Sequence, residues 1–158
     1  MIAVTGANGL LGSFVVRKLL EHGEAVIGIC RKNSDLSLLN DVAAQITWRH
    51  ADIMDPVSLS EALEGTGKVI HAAASVSINP RRAGQIMSVN VMGTRNVVNA
   101  CLSLNIRRLV HISSVAALGS QKGQTRIDED NKWVDTPFNS IYAQSKYYSE
   151  LEVFRAQE

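Results

Sequence analysis

Met1-Ile-Ala-Val-Thr-Gly-Ala-Asn-Gly-Leu-Leu-Gly12 is the stretch on which the reading of this chain turns. Ile2 to Val4 is a short apolar run, after which Gly6, Gly9 and Gly12 recur at every third position. From Leu10 the spacing becomes helical, with Leu11, Phe14, Val15 and Leu19 on one side. The order is therefore strand, tight glycine turn, helix start. A glycine in the turn can take φ > 0, a second without a Cβ lets a diphosphate approach the backbone, and a third lets helix and strand pack closely. The N–H groups and positive end of the helix then face the phosphates. The turn reads as a dinucleotide cradle made of Gly6, Asn8, Gly9, Leu10, Leu11 and Gly12. Its G-x-x-G-x-x-G spacing is one residue longer than the general G-x-G-x-x-G fingerprint.

Working outward, helix one runs to about His22, with Gly23 as its stop. Ala25 to Cys30 is apolar throughout and reads as a strand buried on both faces. A short helical piece follows around Ser34 to Asn40, then Ile46 to Ala51 alternates like a strand nearer a sheet edge. Asp55-Pro56 is a cap and first-turn proline opening a helix through Leu63. Lys68 to Ala73 is strand four. Pro80 precedes a long helix with Ile86, Val89, Val97, Ala100, Cys101 and Leu104 near helical spacing. Leu109 to Ser113 is strand five, Ala116 to Pro137 a polar loop, and Asn139 or Ser140 caps a last helix to the C-terminus.

Strands alternating with helices predict an α/β fold, a doubly wound (Rossmann) parallel sheet of about five strands in the order 3-2-1-4-5. Such a sheet usually continues into a sixth strand, and the chain stops one helix short of it. Strand five is then an open edge, and residues 1–158 read as an incomplete NAD(P)-binding domain, the N-terminal part of a longer protein.

A chain of 158 residues with 46% hydrophobic and 20% charged residues suits one soluble globular domain. A formal net charge of +1 without a basic block argues against nucleic acid or a membrane surface as partner. Cys30 and Cys101 belong to no C-x-x-C pair, so both read as buried thiols of a reducing, cytoplasmic compartment. Gly6, Asn8 and Gly9 break the first apolar stretch, so no signal peptide is expected, and no run is long enough to span a bilayer.

The chemistry-bearing residues cluster at strand ends. A carboxylate is expected at the end of strand two when the cofactor is NAD; here Arg31 and Lys32 stand in that place, and two cations suit the 2′-phosphate of NADP. Asp52-Ile53 closes strand three beside where an adenine would lie, and Ala72, Ala73 and Ala74 close strand four with side chains small enough for a flat cofactor. His71 and His111 read as hydrogen-bonded strand histidines and Asp128 to Asp130 as solvated loop, so no metal site is expected. On the last helix, Tyr142 and Lys146 are four apart and share a face. A phenol of reference pKa about 10 needs roughly 4 kcal/mol to come down three units, which a neighbouring ammonium and a cationic nicotinamide together could supply in a dry site. Ser113 and Ser114 end strand five, where a hydroxyl could hold a substrate oxygen against that phenol.

Thr5-Gly-x-x-Gly-x-x-Gly12, Asp52-Ile53, His71-Ala-Ala-Ala74, Asn90-Val-Met-Gly-Thr-Arg-Asn-Val97, Ser113-Ser114 and Tyr142-x-x-x-Lys146 together resemble the extended short-chain dehydrogenase/reductase family, of NAD-dependent epimerase/dehydratase type. The likeness runs along the whole chain, the longer glycine spacing is that family's form, and the resemblance implies a C-terminal substrate domain outside residues 1–158. It implies Tyr142 as acid/base, Lys146 as the group that lowers the phenol's pKa and holds the ribose, and Ser114 as the orienter of the substrate oxygen. It places Asn90, with Val89 beside it, on a helix lining the cofactor site, and leaves room for a homodimer through the two long helices. Arg31 and the following Asp35 to Leu39 look nearer the dihydroflavonol 4-reductase and 3β-hydroxysteroid dehydrogenase branch. The expectation is an NADP(H)-dependent oxidoreductase acting on a ketone or secondary alcohol of a small organic substrate. An NAD-dependent nucleotide-sugar epimerase/dehydratase and a non-catalytic dinucleotide-sensing module are the alternatives.

Overall fold

Parallel neighbours cannot be joined by a hairpin, so each strand here is joined to the next by a crossover. The computed structural model describes residues 1–77, 79–120, 123 and 126–157, which form two compact units. The first holds Met1–Ala73 and Asn96–Ile112. Its strands are β1 (Ile2–Thr5), β2 (Val26–Cys30), β3 (Thr47–His50), β4 (Lys68–His71) and β5 (Arg108–His111). They form one all-parallel sheet in the order β3-β2-β1-β4-β5, as the sequence predicts. Thr5 lies opposite Ile29 on β2 and His71 on β4, so the strands on either side of β1 end level with it. That is where the direction of winding reverses, the place at which such sheets bind ligands.

Helix α1 (Leu10–Glu21) ends at His22, and Gly23, at φ +71°, turns the chain away. Of the apolar residues on one side of this helix, Val15 and Leu19 pack on the core and two do not. Leu11 and Phe14 are 50% and 61% exposed, whereas Gly12, Ser13 and Val16 are buried. The reason is the close packing of Gly12 at the turn, which rotates the small residues inward and leaves the larger ones outside. Val16 joins Val4, Ala7, Val26, Leu39 and Ile46 in the core, with Val15, Leu19 and Trp48 packed around them. The indole of Trp48 lies over Gly28, where a Cβ would meet its ring at 2.7 Å. The short helical piece after β2 is a 3-10 turn at Ser37–Leu39, and a second at Ala43–Gln45 went unforeseen. Both precede β3, whose exposed Thr47 and His50 suit an edge. Arg17 fastens this segment to α1 with bonds of 2.7 and 2.6 Å to the two Asp41 carboxylate oxygens and 2.8 Å to Leu38 O. Helix α2 (Pro56–Leu63) starts on the Asp55 cap and buries Leu59, Ala62 and Leu63. At the other edge, β5 leaves Val110 43% exposed.

The second unit holds Ala74–Arg95 and Ser113–Glu158. The long helix expected after Pro80 is interrupted: a 3-10 turn (Pro80–Arg82), α3 (Ala83–Met87), a π turn (Ser88–Met92), then α4 (Gly93–Ser103). A π turn holds one residue more than an α turn, and here that turn buries Asn90. Strand β5 stops at His111, two residues before the expected end, so Ser113 and Ser114 lie beyond it. The expected polar loop begins with a 3-10 turn at Val115–Leu118, and its residues 121, 122, 124 and 125 lie outside the described residues. Asn139 ties that loop together, accepting from Ser120 N at 2.9 Å and donating to Val134 O at 2.7 Å. Ser140, whose hydroxyl accepts from Ala143 N, caps α5 (Ile141–Phe154). A 3-10 turn at Arg155–Gln157 ends the helix, and Glu158 lies outside the described residues.

Candidate functional site

The glycine turn has the shape a diphosphate requires. Gly6 sits at φ +68°, and a Cβ there would meet the Ala73 backbone at 2.8 Å. One on Gly12 would fall 2.0 Å from the carbonyl oxygen of Gly6. Behind the turn, Thr5 Oγ1 accepts from Ala73 N at 3.3 Å and lies 2.7 Å from His71 Nδ1, so β1 and β4 are joined where their loops begin. The His71 and His111 rings pack at 5.3 Å. Above the turn, α1 opens on Gly9 with no side-chain cap and no acidic residue in its first turn. Both α2 and α5 carry side-chain caps. An uncapped helix start with exposed Leu10 and Leu11 leaves its leading N–H groups to an anion. The residues present therefore fit a dinucleotide diphosphate.

Around this turn the sequence-predicted residues divide. Arg31 and Lys32 are exposed at the end of β2, where Asn33 takes φ +64°. Asn8 donates from Nδ2 to Asp35 O at 3.3 Å, tying the glycine turn to that same loop. Asp52 Oδ1 accepts from Met54 N at 2.9 Å and shapes the turn after β3. Ile53 is buried, and its carbonyl accepts from Asn96 Nδ2 at 2.8 Å. Ala72 and Ala73 follow β4 with half-buried, methyl-sized side chains.

In the second unit, Tyr142 and Lys146 lie one turn apart on α5. Lys146 is 2% exposed, and that burial pushes its ammonium down to about 8 against an opposing pull from Glu150. The 3-10 turn Val115–Leu118 packs against α5, and Ser114 is its cap. Ser114 Oγ accepts from Ala116 N at 3.2 Å, which leaves the hydroxyl hydrogen to donate. Ser113 Oγ is buried without a hydrogen-bond partner among the described residues. The Asn90 amide is taken up inside the unit: Oδ1 accepts from Ser75 N at 2.7 Å, and Nδ2 donates to Ser75 O at 3.0 Å and Ser145 Oγ at 2.9 Å. Sequence reasoning passed over Thr5, Ser75 and Ser145 as partners. The only signal for Ser145 is its position beside Lys146 and three residues beyond Tyr142. Among the described residues, no group of three or more His, Cys, Asp or Glu could hold a metal ion. No helix among them is long and apolar enough to cross a membrane.

The parallel sheet wound about β1, with a glycine cradle on its first turn, defines a Rossmann dinucleotide-binding fold. The chain belongs to the NAD dependent epimerase/dehydratase family, which it matches over residues 2–158. It is 36% identical over 153 residues to sterol demethylase protein B of Methylococcus capsulatus, covering 95% of this chain and 45% of that protein. It is equally identical, over 146 residues, to cinnamoyl-CoA reductase 1 of Petunia hybrida, covering 87% and 43%. It is 32% identical over 157 residues to the 3β-hydroxysteroid dehydrogenase/Δ5→4-isomerase of Vaccinia virus, covering 98% and 45%. Among solved structures it resembles a short-chain dehydrogenase/reductase superfamily protein of Agrobacterium tumefaciens with bound NAD. The TM-score is 0.84 at 28% identity, covering 100% of this chain and 45% of that one. It also resembles the dTDP-glucose 4,6-dehydratase of Streptomyces venezuelae, at TM-score 0.82 and 29% identity, covering 96% and 49%. The chain thus spans somewhat under half the length of the curated relatives it matches.

Proposed function

We propose that the protein carrying this chain is an NADP(H)-dependent oxidoreductase that interconverts a ketone and a secondary alcohol on a small organic substrate. Residues 1–158 supply the dinucleotide site and the acid/base, and the parts that choose the substrate lie elsewhere in the protein. The observation that carries this reading is the buried Lys146 one helical turn from Tyr142. A cation kept out of water costs free energy, and such groups cluster at reactive sites. The reductase and dehydrogenase names among the relatives support the same class.

Gly6, Gly9, Gly12 and the α1 amides would hold the diphosphate, and Arg31 and Lys32 would pair with a 2′-phosphate. Ala72, Ala73, Ala74, Asp52 and Ile53 would border the rest of the cofactor, and Ser113 would offer its hydroxyl. When bound, the cofactor supplies the hydride that goes to the carbonyl carbon. Tyr142 gives its phenolic proton to the carbonyl oxygen, and Ser114 donates a hydrogen bond to that oxygen. Lys146 holds positive charge beside the phenol. The carbonyl π electrons end on oxygen as the O–H bond forms, so the product is the alcohol and the oxidised dinucleotide. NADPH consumption by the intact protein, with acetophenone and cyclohexanone as ketone probes, tests this against Tyr142→Phe. Turnover unchanged in that variant would end the assignment.

Similarity to the dTDP-glucose 4,6-dehydratase favours a second reading, an NAD-dependent epimerase or dehydratase of nucleotide sugars using the same side chains. Arg31 decides between them. Wild-type protein that binds NADP more tightly than NAD, with the order reversed in Arg31→Asp, supports the reductase. Tighter NAD binding by the wild type supports the sugar-nucleotide enzyme.

A further inference from the structure

We propose that Ser145 is a positioning residue whose hydroxyl fixes the turn of α5 that carries Tyr142 and Lys146. The proposal rests on the reading of Tyr142 as the acid/base and goes one side chain further. Ser145 is 0% exposed. Its Oγ accepts from Asn90 Nδ2 at 2.9 Å and donates to the carbonyl oxygen of Tyr142 at 2.8 Å. Asn90, 2% exposed, gives the rest of its amide to the backbone of Ser75, accepting from N at 2.7 Å and donating to O at 3.0 Å. Three separate stretches are thereby joined: the segment after β4, the π turn, and the start of α5.

The arrangement needs a hydroxyl, which can accept and donate at once. Its single hydrogen goes to Tyr142 O, so the oxygen must receive the Asn90 hydrogen. The Asn90–Ser145 bond is buried, so no solvent molecule can replace it cheaply. The place matters as much as the chemistry. Tyr142 is the second residue of α5, in a first turn held at its outer end by the Ser140 cap. Helix ends fray, and a proton donor on a fraying turn would present its phenol over a range of positions. A serine bonded to the carbonyl three residues back also bends a helix, so Ser145 sets the direction of that turn as well as its stability. One turn on, Ser149 Oγ donates to Lys146 O at 2.8 Å in the same way. The residues flanking Lys146 on the buried side are accordingly small: Ala143, Ser145 and Ser149 are all buried. They let α3 and the π turn pack directly on α5.

The test is made on the intact protein with NADPH and the two ketone probes, acetophenone and cyclohexanone. Misplacing a reacting group by about 1 Å costs on the order of 100-fold, so Ser145→Ala is expected to lower kcat by roughly 10- to 100-fold. The KM for NADPH should stay within about threefold, because the cradle residues are untouched. The pH midpoint of kcat should move by at least about half a unit, since the phenol and the ammonium change their relative position. Should Ser145→Ala fold poorly, Ser145→Cys answers the same question, being close in shape but a weak hydrogen-bonding partner. A folded variant with kcat within twofold of wild type and an unmoved pH midpoint overturns the proposal. So does a fall in kcat matched by an equal fall in the fraction of protein able to bind NADPH, which is what a merely structural role would give. Tyr142→Phe, run alongside, separates two failures. If it keeps turnover, the acid/base assignment falls and Ser145 falls with it. If it is inactive while Ser145→Ala behaves as wild type, the positioning role alone is lost. A wild type that consumes no NADPH with either probe removes both.

Discussion

Replacing Gly12 and Gly84 by alanine, one at a time, should move stability in opposite directions. A Cβ on Gly12 would lie 2.0 Å from Gly6 O, 2.8 Å from Gly6 C and 3.0 Å from Ala7 Cα. Ordinary contact begins at 3.4 Å, so the start of α1 and the glycine turn must part by about 1.4 Å. All three obstacles are backbone, and no rotamer change can relieve them. Overpacking that forces backbone shifts costs about 1–3 kcal/mol, and this site belongs at the upper end. With a urea slope of about 2 kcal/mol per molar, a loss of about 3 kcal/mol lowers the unfolding midpoint by roughly 1.5 M. At Gly84 in α3 the added Cβ meets nothing within 4 Å and φ is not positive. Alanine there should gain about 0.5 kcal/mol from helix propensity alone, raising the midpoint slightly. NADPH titration supplies the second measurement, because the shifted amides of the cradle should weaken binding at least tenfold in Gly12→Ala and leave it unchanged in Gly84→Ala. If Gly12→Ala unfolds within about 0.2 M urea of wild type, the turn is looser than the close contact requires and the steric argument is wrong.

Three further outcomes follow from other parts of the molecule. Asp55→Ala removes the acceptor for Val57 N at 3.1 Å and should cost about 1 kcal/mol in thermal or urea unfolding, while Asp55→Asn keeps most of it. Lys146 titrates at about 8 when folded, against 10.5 as its ordinary value, so between those limits the unfolded chain binds more protons and stability rises with pH. Lys146→Met should flatten that rise, and a cofactor-free urea series across this range checks it. Cys101, 6% exposed and pushed up to about 11 by burial, should react with a thiol reagent at pH 8 only as fast as the protein opens. Labelling at the rate of an unstructured cysteine would contradict that.

The sheet was legible because its causes are local or periodic. One glycine turn marked β1, buried apolar runs marked its neighbours, and Asp55-Pro56 gave α2 its first residue, since a cap and a first-turn proline act within four positions. The inward face of α1 was not legible from hydrophobicity. The pattern selects the largest apolar residues, whereas the geometry at Gly12 selects the smallest, and Phe14 was left outside at 61% exposure. Strand β5 ends earlier than its apolar run suggests: Ile112 N still donates to His71 O at 3.0 Å, but the paired register stops at His71 and His111.

The candidate site divides along the same line. Gly6, Gly9 and Gly12 could be recognised because what they do is set by the absence of a side chain, and spacing records that absence. Tyr142 and Lys146 could be paired because four residues on a helix fix a common face whatever surrounds it. What holds that face in place is written in no spacing. The π turn at Ser88–Met92 has no local breaker, neither proline nor paired glycines; it accommodates Asn90, whose partners Ser75 and Ser145 stand 15 and 55 residues away. Ser145 and Ser149 have middling helix propensity and would pass for solvent-facing residues on a wheel. They are buried because α3 and the π turn require a small surface to lie against. In this chain the groups assigned to chemistry were found by their type, while the groups that would hold them still depend on long-range hydrogen bonds. That is why Ser145, rather than a more conspicuous residue, carries the sharper test of how α5 presents its phenol.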